Sequence, residues 1–77
     1  MIEAYVLIQT EIGRAAKVAA EVKEIPGVTR AEVLTGPYDV LALAAATDLH
    51  SLGKLAVGEI QAVNGVSRTV TCPVVHL

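Results

Sequence analysis

The chain has no tryptophan and no phenylalanine, and two tyrosines supply all of its aromatic surface. A core must therefore be assembled from aliphatic side chains. Cys72 is the single cysteine among 77 residues. It excludes an internal disulfide and suits a reducing compartment, so a cytoplasmic protein is expected. Basic residues are scarce as well: six Lys and Arg stand against eight Asp and Glu, without a cluster, for a net charge of −2. A nucleic-acid module carries a basic stripe or a high isoelectric point, so direct DNA binding is not expected. Charges interrupt every apolar run well before the ~18 residues a membrane span needs. The N-terminus lacks the basic region and long apolar stretch of a signal peptide. His50, His76 and Cys72 do not make up the three or four ligands of a zinc site, and no base–nucleophile pair is visible. Neither a metal nor a cofactor is expected, and no catalytic residue can be named.

What is present is aliphatic. The composition is 53% hydrophobic and only 18% charged. A chain this short buries a small share of its surface, and such apolar content in one small domain (residues 1–77) is a first sign of self-association. Ile2 to Gln9 alternates as a strand, with Ile2, Ala4, Val6 and Ile8 on one face and Glu3, Tyr5, Leu7 and Gln9 on the other. Thr10 is positioned to cap a helix whose buried stripe is expected at Ile12, Ala15, Ala16, Ala19 and Val22. Arg14, Lys17, Glu21 and Glu24 form its solvated face, and Pro26-Gly27 stops it. Val28 to Thr35 reads as a second strand. Val40 to Ala46 is a third, apolar on both faces as strands covered on both sides are. Thr47-Asp48 caps a second helix with an expected stripe at Leu49, Leu52, Ala56, Ile60 and Val63. Within it, Gly53 and Gly58 each weaken the helix by about 0.8–1.0 kcal/mol relative to Ala. Asn64-Gly65 ends that helix. Val66 to Cys72 is a fourth strand, broken by Pro73.

Between the second and third strands lies Leu34-Thr35-Gly36-Pro37-Tyr38-Asp39. Gly-Pro is a turn signal, but Tyr38 and Asp39 add an aromatic ring and a carboxylate that a plain hairpin does not require. This turn is the best candidate in the chain for a ligand contact. The bland alternative for Asp39 is local turn chemistry, since Asp bonds nearby backbone. For Tyr38 it is packing in a subunit interface.

Gly27-Val28-Thr29-Arg30 matches Gly65-Val66-Ser67-Arg68 at an offset of 38 residues, and the same shift lays Ile2 on Val40. The chain is thus strand–helix–strand twice. Two such units interleave as an α+β, ferredoxin-like βαββαβ fold: a four-stranded antiparallel sheet with both helices on one face. Strands one and three are the most apolar and should be central, giving the order 4-1-3-2. Two helices cover one face only, leaving Tyr5, Leu7, Leu41 and Leu43 on the other. If about 500 Å² of that face is hidden in a symmetric dimer, the gain is ~12 kcal/mol before association costs.

With the repeat, the turn and the fold in place, the chain resembles the effector-binding (RAM) domain of the Lrp/AsnC transcriptional regulators. The resemblance runs through Ala4-Tyr5-Val6-Leu7-Ile8, Ile25-Pro26-Gly27-Val28, Leu34 to Leu41 and Asn64 to Thr69. It implies a non-catalytic module for sensing amino acids and assembling, linked to regulation of amino-acid metabolism. Its dimers form through the sheets and join into octamers or similar rings, with a small amino-acid effector bound between dimers. By the same resemblance the effector site is Gly36, Pro37, Tyr38 and Asp39, approached by Val33, Leu34 and Thr35, with Thr69, Val70 and Thr71 as a further wall. Asp39 would meet the α-ammonium, backbone N–H groups around Gly36 the carboxylate, and Tyr38 an aliphatic side chain. Family members usually carry an N-terminal helix-turn-helix domain. This chain starts at the first strand and looks like the stand-alone form, for which the resemblance implies a full-length regulator as a partner.

Two other readings stay open. Small dimeric ferredoxin-like folds include monooxygenases and isomerases, and fold does not settle function. A purely structural subunit could co-assemble with a full-length regulator. The ACT type of amino-acid sensor is disfavoured, because its Asp-x-Pro-Gly turn is replaced by Glu11-Ile12-Gly13. His50 reads as a solvated residue, Cys72 as a quiet thiol, and Arg30 and Arg68 as sheet-edge or intersubunit residues.

Overall fold

In the computed structural model, which describes residues 1–77, the two halves interleave as the repeat predicts. The elements are β1 (Ile2–Thr10), α1 (Ala15–Lys23), β2 (Val28–Val33), β3 (Val40–Ala46), α2 (Leu49–Gly53) continuing as a π-helical segment (Lys54–Ile60), and β4 (Val66–Pro73). The sheet is antiparallel in the order β2-β3-β1-β4. The two most apolar strands are central, as expected. Ala4, Val6 and Ile8 of β1 and Val40, Ala42 and Ala44 of β3 are fully buried, because both helices lie over that face. Val18, Ala19 and Val22 descend from α1, and Leu52, Leu55, Ala56 and Ile60 from the second helix. The small alanines on β3 let the helices come close to the sheet.

Three expectations about the helices need correction. Thr10 does not cap α1. It continues β1, pairing with Val66, and its N–H is taken by Asp39. The chain then turns through Glu11 to Gly13, and α1 begins only at Ala15, with Arg14 preceding it and no side-chain cap. Ile12 is consequently fully exposed, Ala16 is exposed too, and Val18 takes the core position. Leu49 lies at the start of the second helix, before it reaches the sheet, and is 64% exposed; Leu55 is buried instead. Beyond Gly53 this helix widens to the rare π form, which shifts the facing residues off a strict 3.6 period. The Asp48 cap is present: its Oδ1 accepts from the Ser51 N–H at 2.7 Å. That backbone bond holds the Asp48 carboxyl below its ordinary value. Pro73 ends β4 as expected, one residue further on. It is the strand's last residue, opposite Ala4, and the outer edge of β4 needs no N–H from it.

Gly27 and Gly65 occupy the same place in the two repeats and share a positive φ, 98° and 102°. A Cβ on Gly27 would lie 2.9 Å from Leu55 Cδ2 and 3.1 Å from the Ala45 carbonyl; one on Gly65 would lie 3.0 Å from Val18 Cγ2. Both glycines carry a helix back under its own sheet edge, where no side chain fits.

Candidate functional site

The β2–β3 turn does not project freely; it folds against the end of β1. Leu34 N–H donates to the Asp39 carbonyl at 2.8 Å, closing the turn, and Asp39 N–H donates to the Ile8 carbonyl at 2.9 Å. The Asp39 side chain makes the next bond in the series: Thr10 N–H donates to its Oδ2 at 2.8 Å. Gln9 Nε2 donates to the Pro37 carbonyl at 3.1 Å. Gly36, with φ 143°, gives the turn its reversal.

Of the residues expected to form a ligand site, Leu34, Tyr38 and Asp39 are half-buried, and Val33, Thr35, Gly36 and Pro37 are exposed. The structure brings these together. Asp39 has one carboxylate oxygen in the Thr10 bond and the other free. Neither Gly36 nor Tyr38 uses its backbone N–H within the chain. The turn thus offers a negatively charged acceptor and two unpaired backbone donors. Thr69, Val70 and Thr71 are placed elsewhere. They pair with Ile8, Leu7 and Val6, so β1 stands between them and β3, about 10 Å away at two strand spacings. Opposed residues share a face. Thr69 and Thr71 accordingly lie on the helix side with Ile8 and Val6, and Val70 on the open side with Leu7.

Gln9 and Thr10 are site residues that sequence reasoning did not assign. Thr10 carried a helix-capping signal, and nothing local marks Gln9 as a partner of Pro37.

The open face is a second candidate surface. Tyr5 pairs with Leu43 and Leu7 with Leu41, so the four residues expected at an interface form one cluster on the side away from the helices. Cys72 and Val70 extend it along β4, and Arg30 and Glu32, paired with each other, along β2.

Concavity in the single chain lies away from the turn. The larger hollow, about 460 Å³, is an open groove on the outer surface of the second helix between Leu49, Lys54 and Val57. The smaller adjoins β4. Neither hollow is lined by residues of the turn, so another surface would have to enclose a ligand there.

A ferredoxin-like domain with an aliphatic helix–sheet layer, a bare sheet face and one hydrogen-bonded polar turn is the build of a regulatory ligand-binding domain. Residues 3–76 match the family described as the Lrp/AsnC ligand binding domain, and the chain belongs to that family. An HTH-type transcriptional regulator of Pyrococcus furiosus, PF0250, itself uncharacterized, is 32% identical over 55 residues, covering 71% of this chain and 37% of the relative. The chain therefore spans little more than a third of the length of such curated relatives. The Thermus thermophilus protein TTHA0845 superposes with a TM-score of 0.92 at 32% identity, over 100% of this chain and 96% of that one. The Neisseria meningitidis transcriptional regulator NMB0573, solved as its L-Met complex, shares the fold with a TM-score of 0.84 at 23% identity, over 97% of this chain and 50% of its own.

Proposed function

We propose that this chain is an amino-acid-sensing and assembly module, in which an effector bound at the Gly36–Asp39 turn is coupled to self-association through the open sheet face. The observation that carries this reading is the turn itself, within a chain that matches a ligand-binding family from end to end. It leaves Asp39 Oδ1 and the N–H groups of Gly36 and Tyr38 unpaired within one short turn, and these are the kinds of group a zwitterion requires. Because the turn lines neither hollow of the single chain, a neighbouring copy completes the enclosure, and ligand affinity and assembly become one coupled equilibrium. L-Methionine, the ligand in the NMB0573 complex, is the natural first probe. Equilibrium dialysis against the twenty L-amino acids, with the mass in solution recorded alongside, tests the reading. No binding in any oligomeric state rejects it.

The domain is read as non-catalytic. The helix–sheet layer, where a small ferredoxin-like enzyme would place acid–base groups, holds no buried polar side chain. Control of transcription would run through a chain bearing a helix-turn-helix domain, like those of the Pyrococcus relatives, co-assembled across the same sheet face. Mixed-mass species on combining the two chains would demonstrate it, and separate species would exclude it.

A further inference from the structure

The open face and the turn meet at one residue. Gln9 follows Tyr5 and Leu7 in the period-2 alternation of β1 and opposes Arg68 of β4, so it stands on the open face at the end nearest the turn. Its side chain reaches off that face, where Nε2 donates to the Pro37 carbonyl at 3.1 Å. It is the one side chain of β1 that bonds to the turn.

That bond acts on a particular donor. The Pro37 carbonyl and the Tyr38 N–H belong to one planar trans peptide group, in which the two point in opposite directions. Holding the carbonyl on Gln9 therefore aims the Tyr38 N–H away from β1, and it polarises the peptide so that the N–H donates more strongly. The Tyr38 N–H has no partner within the chain. It is one of the two donors assigned above to an effector.

The strength of the bond depends on water. In the single chain Pro37 is exposed and Gln9 half-buried, so water competes for both groups and the net gain is small. A stable interface buries ~800 Å² on each partner. Four strands at ~4.8 Å each make the open face ~19 Å wide, and the nine residues of β1 make it ~30 Å long, ~570 Å² in outline. An interface through this face has to run to its ends, and so covers Gln9. Excluding water there strengthens the hydrogen bond.

On the coupling of turn and face proposed above, we infer that Gln9 is the positioning residue that carries it. A second copy on the open face shields the Gln9–Pro37 bond, and the tightened bond holds the Tyr38 N–H in the direction that receives an effector's carboxylate. Effector binding in turn favours the assembled state by the same factor.

The test needs no effector. Hydrogen-exchange mass spectrometry of the full chain is run at protomer concentrations below and above the assembly midpoint found by sedimentation velocity. It follows segment 34–39, whose Leu34 and Asp39 amides are bonded within the chain. In wild type, exchange of this segment should slow on assembly by about two- to tenfold more than exchange of β3 does, the range that one hydrogen bond spans. Gln9→Met keeps the length of the side chain and removes the donor; it should assemble as wild type does and lose most of that extra slowing. Leu7→Lys, which blocks assembly, should show the dilute-chain rate at both concentrations. A residue that merely supported the turn would change exchange equally at both concentrations in Gln9→Met, and that result overturns the proposal. So does a wild-type segment with no extra slowing on assembly, or a Gln9→Met chain that slows as much as wild type. These three results leave the proposed function standing. A wild-type chain that stays single at every concentration rejects the proposed assembly itself, and the role of Gln9 with it.

Discussion

Asp39 ties the turn to β1, and removing that tie has a size that can be worked from its geometry. In Asp39→Ala, the Thr10 N–H loses an acceptor 2.8 Å away. Hydrogen bonds to charged groups contribute about 1.5–3 kcal/mol. Thr10 is only half-buried and water takes up part of the loss, so the lower end, about 1.5 kcal/mol, applies. Asp39→Asn keeps an oxygen at the same reach and exchanges a charged bond for a neutral one, a loss of about 0.5–1 kcal/mol. The backbone bonds of residue 39, to Ile8 and from Leu34, survive both changes, so the fold is retained. For a domain of this size about 1 kcal/mol moves Tm by roughly 4–8 °C. Alanine should therefore lower Tm by roughly 6–12 °C and asparagine by roughly 2–8 °C. Circular-dichroism melts must be compared at one protomer concentration, because assembly raises apparent stability by mass action. Hydrogen exchange at the Thr10 amide gives a second readout: its protection should fall in the alanine variant and largely persist in asparagine. Binding separates anchoring from recognition. If Asp39 also meets an ammonium group, Asp39→Asn loses affinity for amino acids while remaining nearly as stable as wild type. Melts and Thr10 exchange identical to wild type in Asp39→Ala would refute the anchored turn.

Gly27→Ala and Gly65→Ala each combine a positive φ with a Cβ 3.0 Å or less from a core side chain, so each should cost about 2 kcal/mol or more in urea unfolding. Gly53→Ala should act in the opposite direction. Gly53 has helical φ and ψ of −62° and −43° with open space around the added methyl, and a gain of about 0.4–1 kcal/mol is expected from the same assay. Leu7→Lys places a charge in the middle of the open face, where Leu7 is only half-buried in the single chain; it should leave the melt of the dilute chain nearly intact and abolish self-association in sedimentation velocity. Asp48 has its folded carboxyl held below 3.8 by the Ser51 N–H. Its stabilisation is therefore complete above that value and disappears as pH falls through the depressed one, and Asp48→Asn should flatten that part of the acid limb in melts taken down the pH scale.

The sheet was legible because its signals are local and repeated. Period-2 alternation in β1, the apolar run of β3 and the matching Gly-Val-x-Arg segments set the strand order before any contact was known. The helix boundaries were less legible, for a physical reason. Thr10 is good helix-capping chemistry and equally good strand chemistry, and what decides between them is a bond to Asp39, 29 residues away. Ile12 and Leu49 fall on a helical period but lie where the helix has not yet begun or has not yet met the sheet. Gln9 was invisible as a site residue because its partner Pro37 is 28 residues distant. The four-residue cluster on the open face was foreseen, whereas Val70 and Cys72 required the register of β4 to join it. The placement of Thr69 and Thr71 on the helix side follows from that same register.

The internal repeat allows equivalent residues to be compared within a single chain. Where the halves agree, the shared residues meet helix and sheet: Gly27 and Gly65 are both pressed against a side chain from a helix, and Val28 and Val66 both flank the core. The halves also differ, in the core at Val18 and Ala56 or Val22 and Ile60, and at the surface as well. Glu32 becomes Val70, which frees Arg68. The turn at Gly36 to Asp39 has Val74 to Leu77 as its counterpart, a tail whose tie to β1 is the Val74 N–H to the Glu3 carbonyl. A turn needed only to reverse the chain would require neither the Asp39 bond to Thr10 nor the Gln9 bond to Pro37, because the backbone bonds at Leu34 and Asp39 already close it. The extra polar bonds hold a half-buried carboxylate in one orientation at the end of the sheet. A charge fixed at the end of the sheet acts on whatever is brought against it, and under the proposed function a second copy docked on the bare face would be brought there.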